Sequence, residues 1–380
     1  TPALDQPHAV GALVTGSGNN IAASDPSAGA AVTPRMIARL EITYADGSTN
    51  VIVSDRSWRT AFGAYVTDAW YAGSDYDARR EPVGWDEAAS DLSGTARRRD
   101  GSDVGWIDAG IAPPPNLATK LVARDAPPVR IVEEFVPKSV TNPAPGTYVF
   151  DFGQNFAGWP QLNLTTPVPA GTVIRMSPAE GLANDGSGLV NQSSLGPGGR
   201  GTDMFNTYTA AGGGPETWHP DFQYFGMQFL QVTGLPEGYP VSADLVTGLR
   251  LMGDTPSAGS VTTSNERINR LHRMAQYSFA SNTLSIFTDC PGREKQSYPA
   301  DYTMVMGAIE RNHELASYLR GHMRHFAEGQ SMADTFMRGN VALKVPVHDV
   351  GFAGQFGDEI NWGNGIILVP AFLYELYGDT

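Results

Sequence analysis

The sequence predicts a multidomain β plus α protein, with antiparallel β-sandwich domains in front and helices behind, and three observations carry that expectation. Alternating apolar runs recur between about residues 35 and 255, the hydrophobic period changes after Thr263, and glycine and proline are abundant, at 43 and 27 of 380 residues. Charged residues make up only 17% and aromatics 10%, the profile of a loop-rich β protein rather than a charged helical or disordered one. The length allows two or three domains with cores of their own. The first strand pair is local: Arg39 to Tyr44 alternates, Asp46-Gly47 offers a tight hairpin turn, and Val51-Ile52-Val53 returns. Runs at Tyr148–Phe152, Val173–Met176, Phe229–Val232 and Leu245–Leu251, separated by Gly or Pro, continue the antiparallel theme and argue for sandwiches rather than a βαβ sheet. The Pro-rich stretches Ala112–Pro115 and Ala126–Pro128 read as a linker between two β domains.

After that the period becomes helical. Thr263-x-x-Glu266 is a capping box, and Ile268, Leu271, Ala275 and Phe279 share one face of a helix ending near Asn282. A second helix is predicted from about 301 to 326, with Val305, Ile309, Leu319 and Met323 as its apolar points. A third is predicted from about 365 to 377, kinked at Pro370. The expected domains are therefore 1–125 and 126–258, both β-sandwiches, the first without its start, and 259–380, helical.

Charge narrows the partners. With 26 Lys and Arg against 40 Asp and Glu, a net charge of −14 opposes a phosphate backbone, so no nucleic-acid partner is expected, whereas a neutral sugar meets no such objection. No apolar run approaches the ~20 residues of a membrane helix, so no membrane partner is expected. One cysteine forms no internal disulfide and leaves the redox compartment open, with a periplasmic or secreted location expected over a cytoplasmic one. The front lacks both an initiator Met and a basic-then-apolar signal, which reads as something removed ahead of Thr1. The glycine clusters at 186–188, 198–199 and 212–214 lack the Lys-Ser/Thr of a phosphate loop.

The chemistry concentrates in residues 288–301, Thr288-Asp289-Cys290-Pro291-Gly292-Arg293-Glu294-Lys295-Gln296-Ser297-Tyr298-Pro299-Ala300-Asp301. A single turn entering a helix could gather Asp289, Glu294 and Asp301, with Arg293 and Lys295 placed to keep some of them ionised. A glycosidase needs that mixture: one carboxyl stays protonated to serve the leaving oxygen, while ionised neighbours hold sugar hydroxyls and raise its pKa. The same charges also fit a solvated, helix-capping turn. Cys290 reads as a small buried spacer rather than a catalytic thiol, because nothing near it supplies a His and Asn partner.

The run Asp-Cys-Pro-x-Arg-Glu-Lys, with an aromatic and an Asp downstream, resembles the signature of the α-L-rhamnosidases of glycoside hydrolase family 78. The segments 146–159, Trp58-Arg59 after Asp55, Tyr76–Arg79, Glu216–Pro220 leading to Phe229–Gly234, and Leu373–Asp379 resemble the family in the same order. The resemblance implies Glu294 as general acid and Asp289 and Asp301 as sugar ligands, with Arg293 and Tyr298 as further substrate-binding residues. The sequence departs at Ser297-Tyr298, where the family usually has Gly-Trp, which keeps an aromatic wall of altered shape. Trp362, in Asn361-Trp362-Gly363-Asn364, falls where the family commonly has a Trp and would stack on the sugar; a core Trp between helices is the other reading.

The family places β-sandwiches before an (α/α)6 barrel, and the expectation here is an incomplete (α/α)6 barrel, since about 118 residues follow Thr262, room for three or four of twelve helices. Inversion of configuration requires a second carboxylate, the base, roughly 6.5–9.5 Å from the acid. No residue matches the family's base segment: Asp358-Glu359 and Glu375 read better as solvated or capping groups. The implied function is release of terminal α-linked rhamnose from a rhamnosylated glycoside or polysaccharide, with the base on a complementing polypeptide segment. Alternatives are a noncatalytic carbohydrate-binding β-sandwich protein and another exo-glycosidase on the same scaffold. No cofactor is expected; calcium at Asp75 and Asp77, as in some relatives, competes with an aspartate-capped turn. His348-Asp349 could line the pocket mouth or be plain surface loop, and Gln154-Asn155 could touch sugar or belong to a β core.

Overall fold

The computed structural model describes residues 36–87, 96–113, 120, 122–195, 203–331, 339–346 and 360–380. In chain order its strands are β1 (Arg39–Thr43), β2 (Thr49–Val53), β3 (Arg59–Thr60), β4 (Tyr65–Ala69), β5 (Gly73–Asp77), β6 (Ile107–Asp108), β7 (Val129–Phe135), β8 (Ser139–Ala144), β9 (Thr147–Leu164), β10 (Val173–Ala179), β11 (Gly181–Leu182), β12 (Val190–Asn191), β13 (Asn206–Thr209), β14 (Glu216–Trp218), β15 (Phe225–Thr233) and β16 (Val246–Gly253). The helices are α1 (Glu266–Ser281), α2 (Pro299–Thr303), α3 (Met306–Ile309), α4 (Ala316–Gln330), α5 (Ile360–Gly363) and α6 (Gly365–Tyr377). The protein is thus mixed β and α, strands first.

Among the described residues ten strands form one sheet, in the order β4-β5-β13-β10-β15-β9-β16-β7, with β8 and β14 also on β9. The long strand β9 organises it. Asp151 pairs with both Phe229 and Ser139, and Gly158 with both Phe225 and Arg250, so β15 runs along one edge while β8 and then β16 share the other. One 18-residue strand therefore serves two successive neighbours, and the sheet curls around it. The alternation at 158–164 sends Leu162 and Leu164 inward, joining Phe150, Phe152, Phe156, Ile174, Met176 and Leu230 in the main core. The sheet crosses residue 125: β4 and β5 enter it through a parallel pairing of β5 with β13. The hairpin at Asp46-Gly47 forms, with Gly47 at φ 83° and the Asp46 carboxylate accepting from Ser48 N.

Several local expectations shift. The cap of α1 is Asn265, whose side chain accepts from Arg267 N, because Thr263 is engaged with Asn269 instead. The face of α1 turned to the sheet carries Tyr277, which meets Glu133 and Phe135 of β7, while Ile268 and Leu271 lie outward, 51% and 66% exposed. The single helix expected over 301–326 is three, α2, α3 and α4. The 122–128 stretch lies along α4: Asp125 pairs with Arg324 at 3.0 Å, and Ala126 packs on the helical core. The α6 helix forms over the expected span and packs on α2 and α4.

Candidate active site

The carboxylate-rich turn lies between α1 and α2 and is docked on the sheet. Close approach explains a glycine on each side of the contact: a Cβ on Gly292 in the turn would sit 2.6 Å from Leu195 Cδ2, and one on Gly226 of β15 would sit 2.8 Å from Pro291 Cγ. Asp289 closes the turn, its backbone N donating to Gln296 O and its Oδ1 accepting from Gln296 N, both at 2.9 Å. The Glu294 backbone N donates to Cys290 Sγ at 3.1 Å, and burial pushes the Cys290 thiol up, which suits a spacer rather than a nucleophile. Tyr71, from the β4–β5 connection, donates its hydroxyl to the backbone carbonyl of Glu294 at 2.8 Å.

The carboxylates are electrostatically one group. Asp301, in the first turn of α2, is held above the usual carboxylate range by burial, then by the Asp289 and Glu294 charges. Burial also raises Asp289, with the Glu294 charge adding to it against the hydrogen bonds from Gln296 and Cys290. The Tyr298 hydroxyl donates to the Glu294 carboxylate, and burial with that bond raises the phenol. Arg293 Nη2 reaches Glu294 Oε1 at 2.8 Å from an exposed position at the rim. The structure thus brings Asp289, Arg293, Glu294, Tyr298 and Asp301 together. Trp362 arrives on α5, which lies against α2, and a Cβ on Gly365 would meet Pro299 Cβ at 2.6 Å.

Lys295 departs from expectation. It does not reach the carboxylates; it is 2% exposed, and its ammonium donates to Trp70 O at 2.8 Å and to Tyr224 O. The rings of Phe225, Tyr224, Trp70 and Tyr71 surround it at 4.4–5.9 Å, and burial pulls its pKa down to about 7. The two carbonyl partners lie 225 and 71 residues away in sequence, so no local motif announces them.

Other candidates fall elsewhere. Asp77 is gripped by both Arg79 Nε and Nη2, at 2.9 and 2.8 Å, and each oxygen of Asp75 accepts a threonine hydroxyl, from Thr67 and Thr207. Both carboxylates are thus spent on protein partners, a poor fit for calcium. Among the described residues no group of three or more His, Cys, Asp or Glu is arranged to hold a metal ion. Asn155 Nδ2 donates to Glu180 Oε1 at 3.2 Å beside Gly226, near the docked turn. Glu375 is exposed on α6. His348, Asp349, Asp358 and Glu359 lie outside the described residues.

A carboxylate cluster in the turn between two helices is thus docked on a curled β sheet. Three family models match in series: an α-L-rhamnosidase N-terminal domain over 11–133, a bacterial α-L-rhamnosidase concanavalin-like domain over 141–252, and a bacterial α-L-rhamnosidase six-hairpin glycosidase domain over 256–380. The chain belongs to the bacterial α-L-rhamnosidase family. It is 32% identical to an α-L-rhamnosidase of Streptomyces avermitilis over 91% of this chain and 31% of that protein, and 26% identical to one of Formosa agariphila over 91% and 35%. Among solved structures, that of the Dictyoglumus thermophilum α-L-rhamnosidase matches with a TM-score of 0.78 and 28% identity, over 91% of this chain and 36% of that one. The Streptomyces avermitilis enzyme complexed with L-rhamnose matches at 0.75 and 30%, over 90% and 30%. The chain spans about a third of the length of the curated relatives it matches. Among the described residues no helix is long and apolar enough to cross a membrane.

Proposed function

We propose that this chain supplies the acid half of an inverting α-L-rhamnosidase that releases terminal α-linked L-rhamnose from a glycoside or polysaccharide. The observation that carries the reading is the cluster of Asp289, Glu294 and Asp301 with Tyr298 on Glu294, in a chain whose relatives are α-L-rhamnosidases. Glu294 gives its proton to the departing glycosidic oxygen. Asp289 and Asp301 accept hydrogen bonds from sugar hydroxyls, bonds that strengthen as the ring flattens towards the oxocarbenium ion. Trp362 offers a stacking face for the sugar, and Arg293 and Tyr298 hold Glu294 in place. The water-activating carboxylate, roughly 6.5–9.5 Å across the sugar, comes from helices outside this chain that complete an (α/α)6 barrel.

Glu294→Gln tests the assignment. Hydrolysis of an alkyl rhamnoside, whose leaving group needs protonation, should fall by about 10²–10⁴-fold, and that of a nitrophenyl rhamnoside much less. Equal losses on both substrates would remove Glu294 from the acid role. Full activity in the variant would favour a noncatalytic carbohydrate-binding role for the turn.

A further inference from the structure

Lys295 follows the proposed acid directly, yet its side chain serves the β sheet. It is the one non-glycine residue at positive φ, 50°, among the described residues, a conformation that persists only where surroundings over-determine it. Those surroundings are two carbonyls and four aromatic rings, all from the β4–β5 connection and from Tyr224 and Phe225 at the entry to β15. The backbone kink at Lys295 turns its side chain into the sheet. Tyr71, from the same connection, holds the Glu294 carbonyl.

We infer that Lys295 is a positioning residue: by anchoring in the carbonyl and aromatic box of Trp70, Tyr71, Tyr224 and Phe225, it fixes where the β sheet presents Glu294 to the sugar. This rests on Glu294 being the acid. Two N–H groups suffice for Trp70 O and Tyr224 O, so ammonium and neutral amine both hold the anchor. The β region is then a jig for the acid, in addition to any contact it makes with substrate. A displacement of about 1 Å at a reacting group costs on the order of 10²-fold in rate, so the anchor should be visible in kcat.

The test uses the enzyme with its complete set of helices and the same alkyl and nitrophenyl rhamnosides. Lys295→Met should lower kcat on the alkyl rhamnoside by about 10²-fold, with a much smaller loss on the nitrophenyl rhamnoside and KM held within about threefold. Lys295→Ala should show the same pattern, and added propylammonium, which replaces the missing stem and head, should restore part of kcat where propanol does not. Tyr71→Phe removes only the hydroxyl, which donates to the Glu294 carbonyl and accepts from Gln296 Nε2 at 3.5 Å, and should cost about tenfold with the same leaving-group signature. If the Lys295 variants do not fold, Tyr71→Phe decides. Unchanged kcat per folded molecule, or equal losses on both substrates with no amine rescue, would overturn the inference. Failure of the acid assignment is separate: it appears as equal losses for Glu294→Gln itself.

Discussion

The β sheet and the helical segment handle their apolar residues differently. Around β9 the large side chains Phe150, Phe152, Phe156, Leu162 and Leu164 are all at most 1% exposed, because the strand is paired on both edges and the sheet curls over its inner face. In the helices the inner side is equally closed: Met306, Leu315, Leu319 and Val369 are fully buried. The outer side is not. Ile367, Tyr374 and Ile360 on α5 and α6 are 67%, 64% and 77% exposed, and Ile268, Leu271 and Met274 line α1. On α6 Leu368 and Leu376 also lie outward, whereas Ile366 and Phe372 pack against the helical core. Around β9 the sheet is closed, while Val66, Ile131, Val132 and Val173 on its other strands are 40–51% exposed; the helices carry one packed face and one apolar face left exposed among the described residues.

That contrast sets the expected sizes of substitutions. The largest effect belongs to the sheet: Phe156→Ala removes a ring packed 4.7 Å from Phe135 and 5.5 Å from Phe152, and should cost about 3–5 kcal/mol in urea unfolding. Ile367→Ala should stay within about 0.5 kcal/mol in the 380-residue chain. In the enzyme with all its helices the same change should cost about 2 kcal/mol or more. Equal costs in both would erase the contrast.

The smallest effects come from the site. Asp289 and Asp301 are raised in the folded state, so their stabilising contribution exists at low pH and is lost as pH rises through the folded values; ionised at pH 7, they cost stability. Asp→Asn at either should raise Tm by about 1–3 °C at pH 7 with no gain below pH 3.8. Activity should fall about tenfold as a charge-assisted bond to the sugar is lost. A lower Tm at pH 7 would make them structural caps. Lys295 works in the other direction. Its pKa is lowered from 10.5 to about 7, so the unfolded chain holds a proton the folded one has released, and stability from this group rises with pH above 7. Thermal scans at pH 7 and 9 should show that rise in the parent and a flatter response in Lys295→Met.

What the sequence made legible was local. The Asp46-Gly47 hairpin, the α6 span and the carboxylate cluster are each set by residues a few positions apart, and each is where the pattern puts it. What it hid was the partner of each face. Ile268 and Leu271 keep helical spacing, but periodicity does not say which side of α1 meets the sheet, and here the more polar side does, through Tyr277 on Glu133. The helix expected over 301–326 breaks because Val305 leaves helical geometry and residues 310–315 turn back, with His313 bridging to Ser257. Lys295 looked like a counter-ion because it stands beside Glu294; its true partners, Trp70 and Tyr224, become neighbours only once the sheet is built.

The most direct measurement is native and intact mass on purified material assayed for rhamnoside hydrolysis. Active material should contain polypeptide beyond this chain, as one longer protein or a second subunit, and the 40.6 kDa chain alone should be inactive. A single homogeneous 40.6 kDa species that hydrolyses rhamnosides would contradict the reading that the base lies on helices outside it.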